Sequence, residues 1–189
     1  MAVSLQKGQR VNLSKEDGSD LKKVIVGLGW DPAREGLTID CDASAILCGA
    51  DGKITSNTDL IYFGNLSHPS QAVKHSGDNL TGDGDGDDEQ IVVNLASLPS
   101  QYERVAFVVN IYNAREKKQH FGMIKHAFIR VADAESGKEI LRYNLSENYN
   151  NMTALICAEI YRKDGKWKFN AVGQAVQDDG LGELIKRYS

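Results

Sequence analysis

Long apolar segments are missing from this sequence, and their absence excludes a membrane-spanning helix. A helix that crosses a bilayer needs about 20 consecutive apolar residues, and no run here approaches that length. The first ten residues, MAVSLQKGQR, also lack the apolar stretch that follows the basic start of a secretory signal. We therefore expect a soluble protein of the cytoplasm.

Cysteine is scarce, which argues against both a disulfide framework and a zinc site. The chain has three cysteines, Cys41, Cys48 and Cys157, and no two of them have CxxC spacing. An odd number of cysteines in apolar surroundings is typical of buried free thiols. We expect the three thiols to be packing residues.

The sequence also lacks a motif that would pair a Ser or Cys nucleophile with a histidine. Its four histidines are scattered along the chain, at His68, His75, His120 and His126. A mixed, locally basic stretch at 115–120 is interpreted as a solvated turn or short helix, with a docking patch for an acidic protein surface as the alternative. Binding of nucleic acid is disfavoured, because no aromatic residues separate the basic ones and the net charge is −4.

The main pattern along the sequence is an alternation of apolar and polar residues. The chain has 189 residues, 41% of them hydrophobic and 25% charged, which fits a single domain with one core. Period-2 patterns predict strands over 23–26, 90–95, 104–112 and 153–161. Asp51-Gly52 and Asp164-Gly165 lie between strand-like segments and predict tight turns.

A helix is predicted only at the end of the sequence. Leu181, Leu184, Ile185 and Tyr188 recur at helical spacing, and we expect this helix to pack on a sheet edge. With about ten short strands, the predicted fold is mostly β: a single-domain, antiparallel two-layer β-sandwich with a short C-terminal helix over residues 1–189.

The most unusual segment is GDNLTGDGDGDDE at 77–89. It holds six carboxylates and four glycines without a Lys or Arg, and the rest of the chain would carry a balance of +2 without those six acids. Two carboxylates about 5 Å apart repel by roughly 3 kcal/mol at an effective dielectric near 20. A bound cation would relieve that repulsion.

Calcium suits this segment better than other metals. The window offers only oxygen donors, and Ca²⁺ accepts six to eight of them in irregular geometry, whereas Mg²⁺ prefers an octahedron that retains water. An EF-hand loop started at Asp83 fails, because Asp88 stands where Gly is needed and Asn94 where Glu is needed. The alternative is a solvated acidic loop without a ligand, but a second acidic cluster at Asp31, Asp40 and Asp42 favours a metal site.

Five segments resemble the TerD family of tellurium-resistance and stress-response proteins. They extend nearly from end to end: VGLGWD at 26–31, DCDAS at 40–44, HSGDNLTGDGDGDDE at 75–89, FVVNIY at 107–112 and YRKDGKWKFNAVGQ at 161–174. The resemblance implies a bacterial, cytoplasmic, calcium-binding β-sandwich without established catalysis, associated with resistance to tellurite and other chemical or phage stress. It also implies partners among other stress-resistance proteins, including at the membrane surface.

The resemblance implies a set of oxygen ligands for calcium. Carried over position by position, they are Asp31, Asp40, Asp42, Asp78, Asn79, Thr81, Asp85, Asp87, Asp88 and Glu89. Since the eight acids among them exceed the charge of one divalent ion fourfold, two neighbouring Ca²⁺ ions are expected. Calcium would order the acidic loop as part of a partner-binding surface, and Trp30, next to Asp31, should report its binding optically.

An enzyme is the alternative function. In a metal-dependent phosphoester hydrolase, one carboxylate of the loop would act as a base beside a bound ion. The loop itself supplies no cation to hold the substrate's anion, and Lys74 and His75 are the nearest candidates. A binding module is therefore favoured over a hydrolase.

Overall fold

Two packed β-sheets form the protein in the computed structural model, which describes residues 2–32, 36, 38–77, 86–145 and 147–189. The strands in those ranges are β1 (Val3–Leu5), β2 (Arg10–Asn12), β3 (Lys23–Pro32), β4 (Cys41–Cys48), β5 (Leu60–Ile61), β6 (Val73–His75), β7 (Glu89–Asn94), β8 (Arg104–Ile111), β9 (Ile124–Asp133), β10 (Glu139–Asn144), β11 (Ala154–Lys163) and β12 (Lys166–Val176).

Each sheet has six strands. The order in sheet A is β1-β10-β9-β3-β7-β6, and the order in sheet B is β2-β12-β11-β8-β4-β5. Among the described residues every pairing between strands is antiparallel except β1 with β10, which is parallel. The predicted two-layer sandwich is therefore confirmed, with one parallel edge strand.

The predicted turns differ in what they connect. Asp164 and Gly165, both at positive φ, join β11 to β12 with Lys163 opposite Lys166, which is a two-residue hairpin. Asp51-Gly52 also forms a turn, closed by a bond from the Gly52 amide to the Gly49 carbonyl. It does not join two paired strands, however, since β4 pairs with β5 and β8.

The main core lies between the sheets, and a second apolar cluster covers the outer face of sheet B. Alternation along β4 sends Cys41, Ala43, Ala45 and Leu47 into the main core, and Ile46 and Cys48 into the second cluster. All three cysteines are buried and unpaired, as predicted.

The C-terminal segment closes the second cluster. It forms α2 (Leu181–Leu184) and a 3₁₀ turn at Ile185–Tyr188, which confirms a helix at this end of the chain. Leu181, Leu184, Ile185 and Tyr188 pack with side chains of β4, β8 and β11. The expectation that the helix lies on a sheet edge is thus wrong, because the outward apolar residues of those central strands need a cover.

Short helical segments complete the description. They are α1 (Ala114–Lys117), which overlaps the start of the mixed 115–120 stretch, and 3₁₀ turns at Asn57–Asp59 and Phe121–Met123. Within the described ranges, no helix is long and apolar enough to cross a membrane.

Candidate metal centre

Three strand termini bring the acidic residues to one end of the sandwich. The pairing of β3 with β7 ends where β7 begins, with Leu28 opposite Glu89, and β4 begins beside the end of β8, with Cys41 opposite Ile111. We call this region the acidic end. Its described carboxylates are Asp31, Asp40, Asp42, Asp87, Asp88 and Glu89.

Asp88 makes hydrogen bonds to the end of β3 that a paired strand would otherwise make. Its own amide donates to the Leu28 carbonyl at 2.8 Å, and its Oδ2 accepts from the Trp30 amide at 2.7 Å. The ladder between β3 and β7 ends at the Leu28–Glu89 pair, so this side chain satisfies an amide that β7 no longer reaches. Asp88 therefore fixes the acidic segment against Trp30.

Glu89 lies between the sheets and is 1% exposed. Its Oε2 accepts from the Ala43 amide at 2.7 Å and lies 3.1 Å from Nε2 of His75. Nδ1 of the same histidine accepts from the Gly77 amide at 3.0 Å, which leaves Nε2 as the protonated nitrogen. The His75–Glu89 contact thus closes the base of the 78–85 segment from both of its flanks.

Asp87 points to the outer face of sheet A. Its two oxygens accept from Nε and Nη2 of Arg130, each at 2.6 Å, and Oδ2 also accepts from the side-chain amide of Gln90 at 2.9 Å. The carboxylate is 1% exposed and lies directly over Gly27, where a Cβ atom would come within 2.2 Å of it. In this arrangement Arg130 binds both oxygens of the predicted ligand.

The remaining described ligands belong to the end of β3 and the start of β4. Asp31 is half exposed, and its Oδ2 is 2.9 Å from Nδ1 of His126. The Asp40 carbonyl accepts from the Tyr112 amide at 2.8 Å. Asp42 is 4% exposed and, by the alternation of β4, projects to the outer face of sheet B, away from Glu89.

Burial, together with neighbouring charges, raises pKa values at the acidic end. Burial raises the pKa of Asp88 to about 6; the bond from the Trp30 amide opposes that rise, and the charges of Asp31, Glu89 and Asp87 add to it. Burial also raises the pKa of the Cys41 thiol, with further contributions from Asp42, Asp40, Glu89 and Asp88. The carboxylates therefore interact, although they come from separate strands.

The described part of the site is incomplete as a metal centre. Among the described residues no three His, Cys, Asp or Glu side chains are arranged to hold an ion. Four predicted ligands, Asp78, Asn79, Thr81 and Asp85, lie outside those residues. The described carboxylates fit a hard cation, because their donors are oxygen atoms. The raised pKa of Asp88 reflects the free-energy cost of its negative charge in this environment, and a bound cation would lower that cost.

Two residues of the acidic end, His126 and Arg130, were not recognised in the sequence as parts of a site, and His75 was considered only as an anion-holding residue of a hydrolase. Each of the three contacts a predicted ligand. Alternation could have placed Arg130 on the outer face of a strand, but nothing local in the sequence links it to Asp87, which lies 43 residues away.

Comparisons with known proteins agree with this fold. A family model described as the TerD domain matches residues 1–188. Stress response protein SCP2 of Bacillus subtilis (strain 168) is 49% identical to this chain, and the match covers the whole of both chains. Tellurium resistance protein TerD of Serratia marcescens is 43% identical, over all of this chain and 97% of that protein.

A solved structure shares the architecture. It is that of a homologue of telluride resistance protein (TerD) from Streptomyces coelicolor A3(2), with a TM-score of 0.68 and 24% sequence identity, over 89% of this chain and 98% of that one. At that identity the likeness supports the fold alone.

Proposed function

Since this chain belongs to the TerD family of tellurium-resistance and stress-response proteins, we propose that it is a non-catalytic stress-response protein that binds calcium at its acidic end. The observation that carries the proposal is the convergence of three strand termini, with Trp30 donating to Asp88 and Ala43 donating to Glu89. Carboxylates distant in sequence thereby surround the base of the Gly-rich acidic segment.

Hydrogen bonds between its two flanks hold the base of that segment together. The Ser76 amide donates to the Gln90 carbonyl at 2.9 Å, the Gln90 amide donates to Oγ of Ser76 at 3.2 Å, and His75 contacts Glu89. Because the two flanks are already joined, calcium binding does not have to supply the entropy of closing this loop. The binding energy is available to fix residues 78–85 against the strand ends.

Calcium would be held by carboxylates from the strand ends together with the acidic segment. Asp31, Asp40, Asp88 and Glu89 are the described donors that surround its base, and the segment adds Asp78, Asn79, Thr81 and Asp85. The resemblance also implies Asp42 and Asp87 as ligands, but we leave them out of the proposed site, because one projects to the outer face of sheet B and the other binds Arg130. Two ions would share this donor set, and the surface they create would be recognised by a protein partner of the stress response.

Thermal unfolding in chelator, in calcium and in magnesium tests the proposal. Calcium at 100 times its dissociation constant should add about 2.7 kcal/mol to the free energy of unfolding. Emission from Trp30, which is 5% exposed and bonded through its amide to Asp88, should change with the same midpoint. Equilibrium dialysis should give two Ca²⁺ ions per chain.

Single substitutions test whether the calcium-dependent stabilisation comes from the acidic end. Asp88→Asn should remove most of the calcium-dependent stabilisation, whereas Asp164→Asn, in the β11–β12 hairpin at the opposite end of the sandwich, should leave it intact. Equal stabilisation by magnesium, or an unchanged calcium response in Asp88→Asn, would contradict the proposal. Turnover of phosphoesters that depends on Asp88 would contradict its non-catalytic part.

A further inference from the structure

A cavity of about 290 Å³ opens between the Tyr62–Phe63 turn, the ends of β4 and β8, and residues 179–181. We infer that this cavity binds a small organic cation with N–H donors, an alkylammonium or guanidinium group. The inference goes beyond calcium binding, because the floor of the cavity is on the outer face of sheet B, while Glu89 lies between the sheets.

The floor is a pair of polar side chains on neighbouring strands. Asp42 of β4 is opposite Asn110 of β8, and these residues are 4% and 3% exposed. Oδ1 of Asn110 is a buried acceptor without a hydrogen-bond partner in the described part of the chain. An acceptor buried in that way costs about 1 to 3 kcal/mol, and a rotation of the Asn110 side chain that brought this oxygen to a donor in the cavity would remove the cost.

The walls are aromatic and unusually exposed. Tyr62, Phe63 and Tyr112 line the cavity, and Phe63 and Tyr112 are 45% and 46% exposed. The faces of aromatic rings attract cations electrostatically. Exposed rings around a polar floor are typical of a surface that meets a ligand.

The charged side chains that line the cavity favour a cationic ligand. Two carboxylates, Asp42 and Asp179, line the cavity, and they would repel an anion. The chain's own cations already contact the rim: Nζ of Lys117 is 5.2 Å from the centroid of the Tyr112 ring, and Nη1 of Arg115 is 3.6 Å from Asp179. Both contacts are at the rim, and neither involves Oδ1 of Asn110 at the floor.

The test titrates the calcium-saturated full-length protein with small probes, followed by NMR shifts of the Asn110 side-chain amide. Methylguanidinium and butylammonium should bind saturably. Tetramethylammonium, which lacks N–H donors, should bind about tenfold more weakly, and butyrate should not bind. Phe63→Ala should weaken methylguanidinium by roughly tenfold. Leu66→Ala is the matched control, since Leu66 is also 45% exposed but does not line the cavity.

Two further variants separate a binding role from a structural one. Lys117→Gln should strengthen methylguanidinium binding, because it removes a competing cation from Tyr112. Asn110→Leu should abolish the preference for probes with N–H donors and raise the melting temperature, because it replaces a buried acceptor that has no hydrogen-bond partner among the described residues. A purely structural asparagine would instead lower the melting temperature when replaced.

The outcomes distinguish this inference from the calcium proposal. Methylguanidinium binding that persists in chelator, with an unchanged calcium titration in Phe63→Ala, supports a separate cation pocket. Equal binding of butyrate, equal effects of Phe63→Ala and Leu66→Ala, or direct competition between calcium and methylguanidinium would overturn it. Failure of calcium to bind would leave the probe titrations unaffected.

Discussion

At the scale of single residues, Asp59 shows how a fully buried carboxylate is retained. It has no exposed surface, and Oδ2 accepts from the amide and hydroxyl of Thr55 and from the Ser56 amide at 2.7 to 3.0 Å. Oδ1 accepts from the Tyr102 hydroxyl at 2.6 Å and lies 3.3 Å from Nε2 of His68. Burial raises the pKa of Asp59, but these hydrogen bonds outweigh it and leave the pKa below the ordinary value of an aspartate.

Asp59→Asn should therefore destabilise the protein in a pH-dependent way. An amide oxygen accepts these bonds more weakly than a carboxylate and its NH₂ group would face donors, so the free energy of unfolding should fall by about 2 kcal/mol or more at pH 7. Since the folded pKa is lowered, the contribution is present above about pH 4 and is lost as the pH falls through the folded value. Urea unfolding of both proteins between pH 3 and 7 measures the difference.

The control for that experiment is Asp20→Asn, because Asp20 is an exposed carboxylate. It should change stability by less than about 0.5 kcal/mol across the same range. A difference between Asp59→Asn and the parent protein that is constant from pH 3 to 7 would show that the ionised carboxylate is not what the loop around Asp59 requires.

At the scale of elements, β3 is crossed by an ion pair that joins its two neighbours. Asp87 precedes β7 and Arg130 belongs to β9, and they meet over Gly27, the register partner of Arg130 in β3. Gly27 is not at positive φ, so glycine is needed there for space, and a Cβ atom would strike the Asp87 carboxylate. The Asp87 carboxylate, which precedes β7, thus explains why the first residue of GLGWD has no side chain.

Arg130→Met should leave the Asp87 carboxylate, 1% exposed, without its charge partner. Removing one member of a buried pair costs about 3 kcal/mol or more, whereas replacing both with apolar residues costs much less. Arg130→Met combined with Asp87→Leu should therefore recover most of the lost free energy of unfolding in a double-mutant cycle. Arg142→Met is the control, because Arg142 is the neighbour of Arg130 on β10 and its pair with Glu139 is more exposed.

The same double variant tests whether Asp87 binds calcium. Both of its oxygens are bonded to Arg130, so the double variant should bind as many calcium ions as the parent protein. Loss of one ion in equilibrium dialysis would place Asp87 among the ligands. In the double-mutant cycle, recovery of less than half of the lost free energy of unfolding would show that the Asp87–Arg130 pair stabilises the fold beyond the mutual neutralisation of its two charges.

Sequence patterns predicted the strands better than they predicted the destinations of side chains. Alternation is a local property, so β3, β7, β8 and β11 could be recognised, and so could the helix at Leu181. Asp87, Asp88 and Glu89 look equivalent in the sequence, yet they contact Arg130, the Trp30 amide and His75. Those partners lie on other strands, and only the register between strands decides which carboxylate faces the outer surface, the strand end or the core.

At the scale of the whole molecule, the sandwich has a third layer made by its last residues. Sheet B presents an apolar outer face, which the α2 segment covers with Leu184 at 0% exposure. Arg187 binds Asp178 through both oxygens, and the Tyr188 carbonyl accepts from the Ile54 amide. Through residues 179–181, the same segment forms one wall of the cavity floored by Asp42 and Asn110.

Leu184→Ala should therefore affect the cavity and the calcium site differently. It should lower the free energy of unfolding by about 2 to 4 kcal/mol, because a buried leucine leaves a cavity when truncated, while Lys186→Ala on the exposed side of the segment should have little effect. The increase in melting temperature caused by calcium should stay the same, since the acidic end is built from strand termini that do not contact Leu184. Binding of methylguanidinium should weaken, because residues 179–181 lose their support. A variant that loses calcium and methylguanidinium in parallel would mean that the two sites are coupled through sheet B, and that the acidic end depends on the C-terminal layer after all.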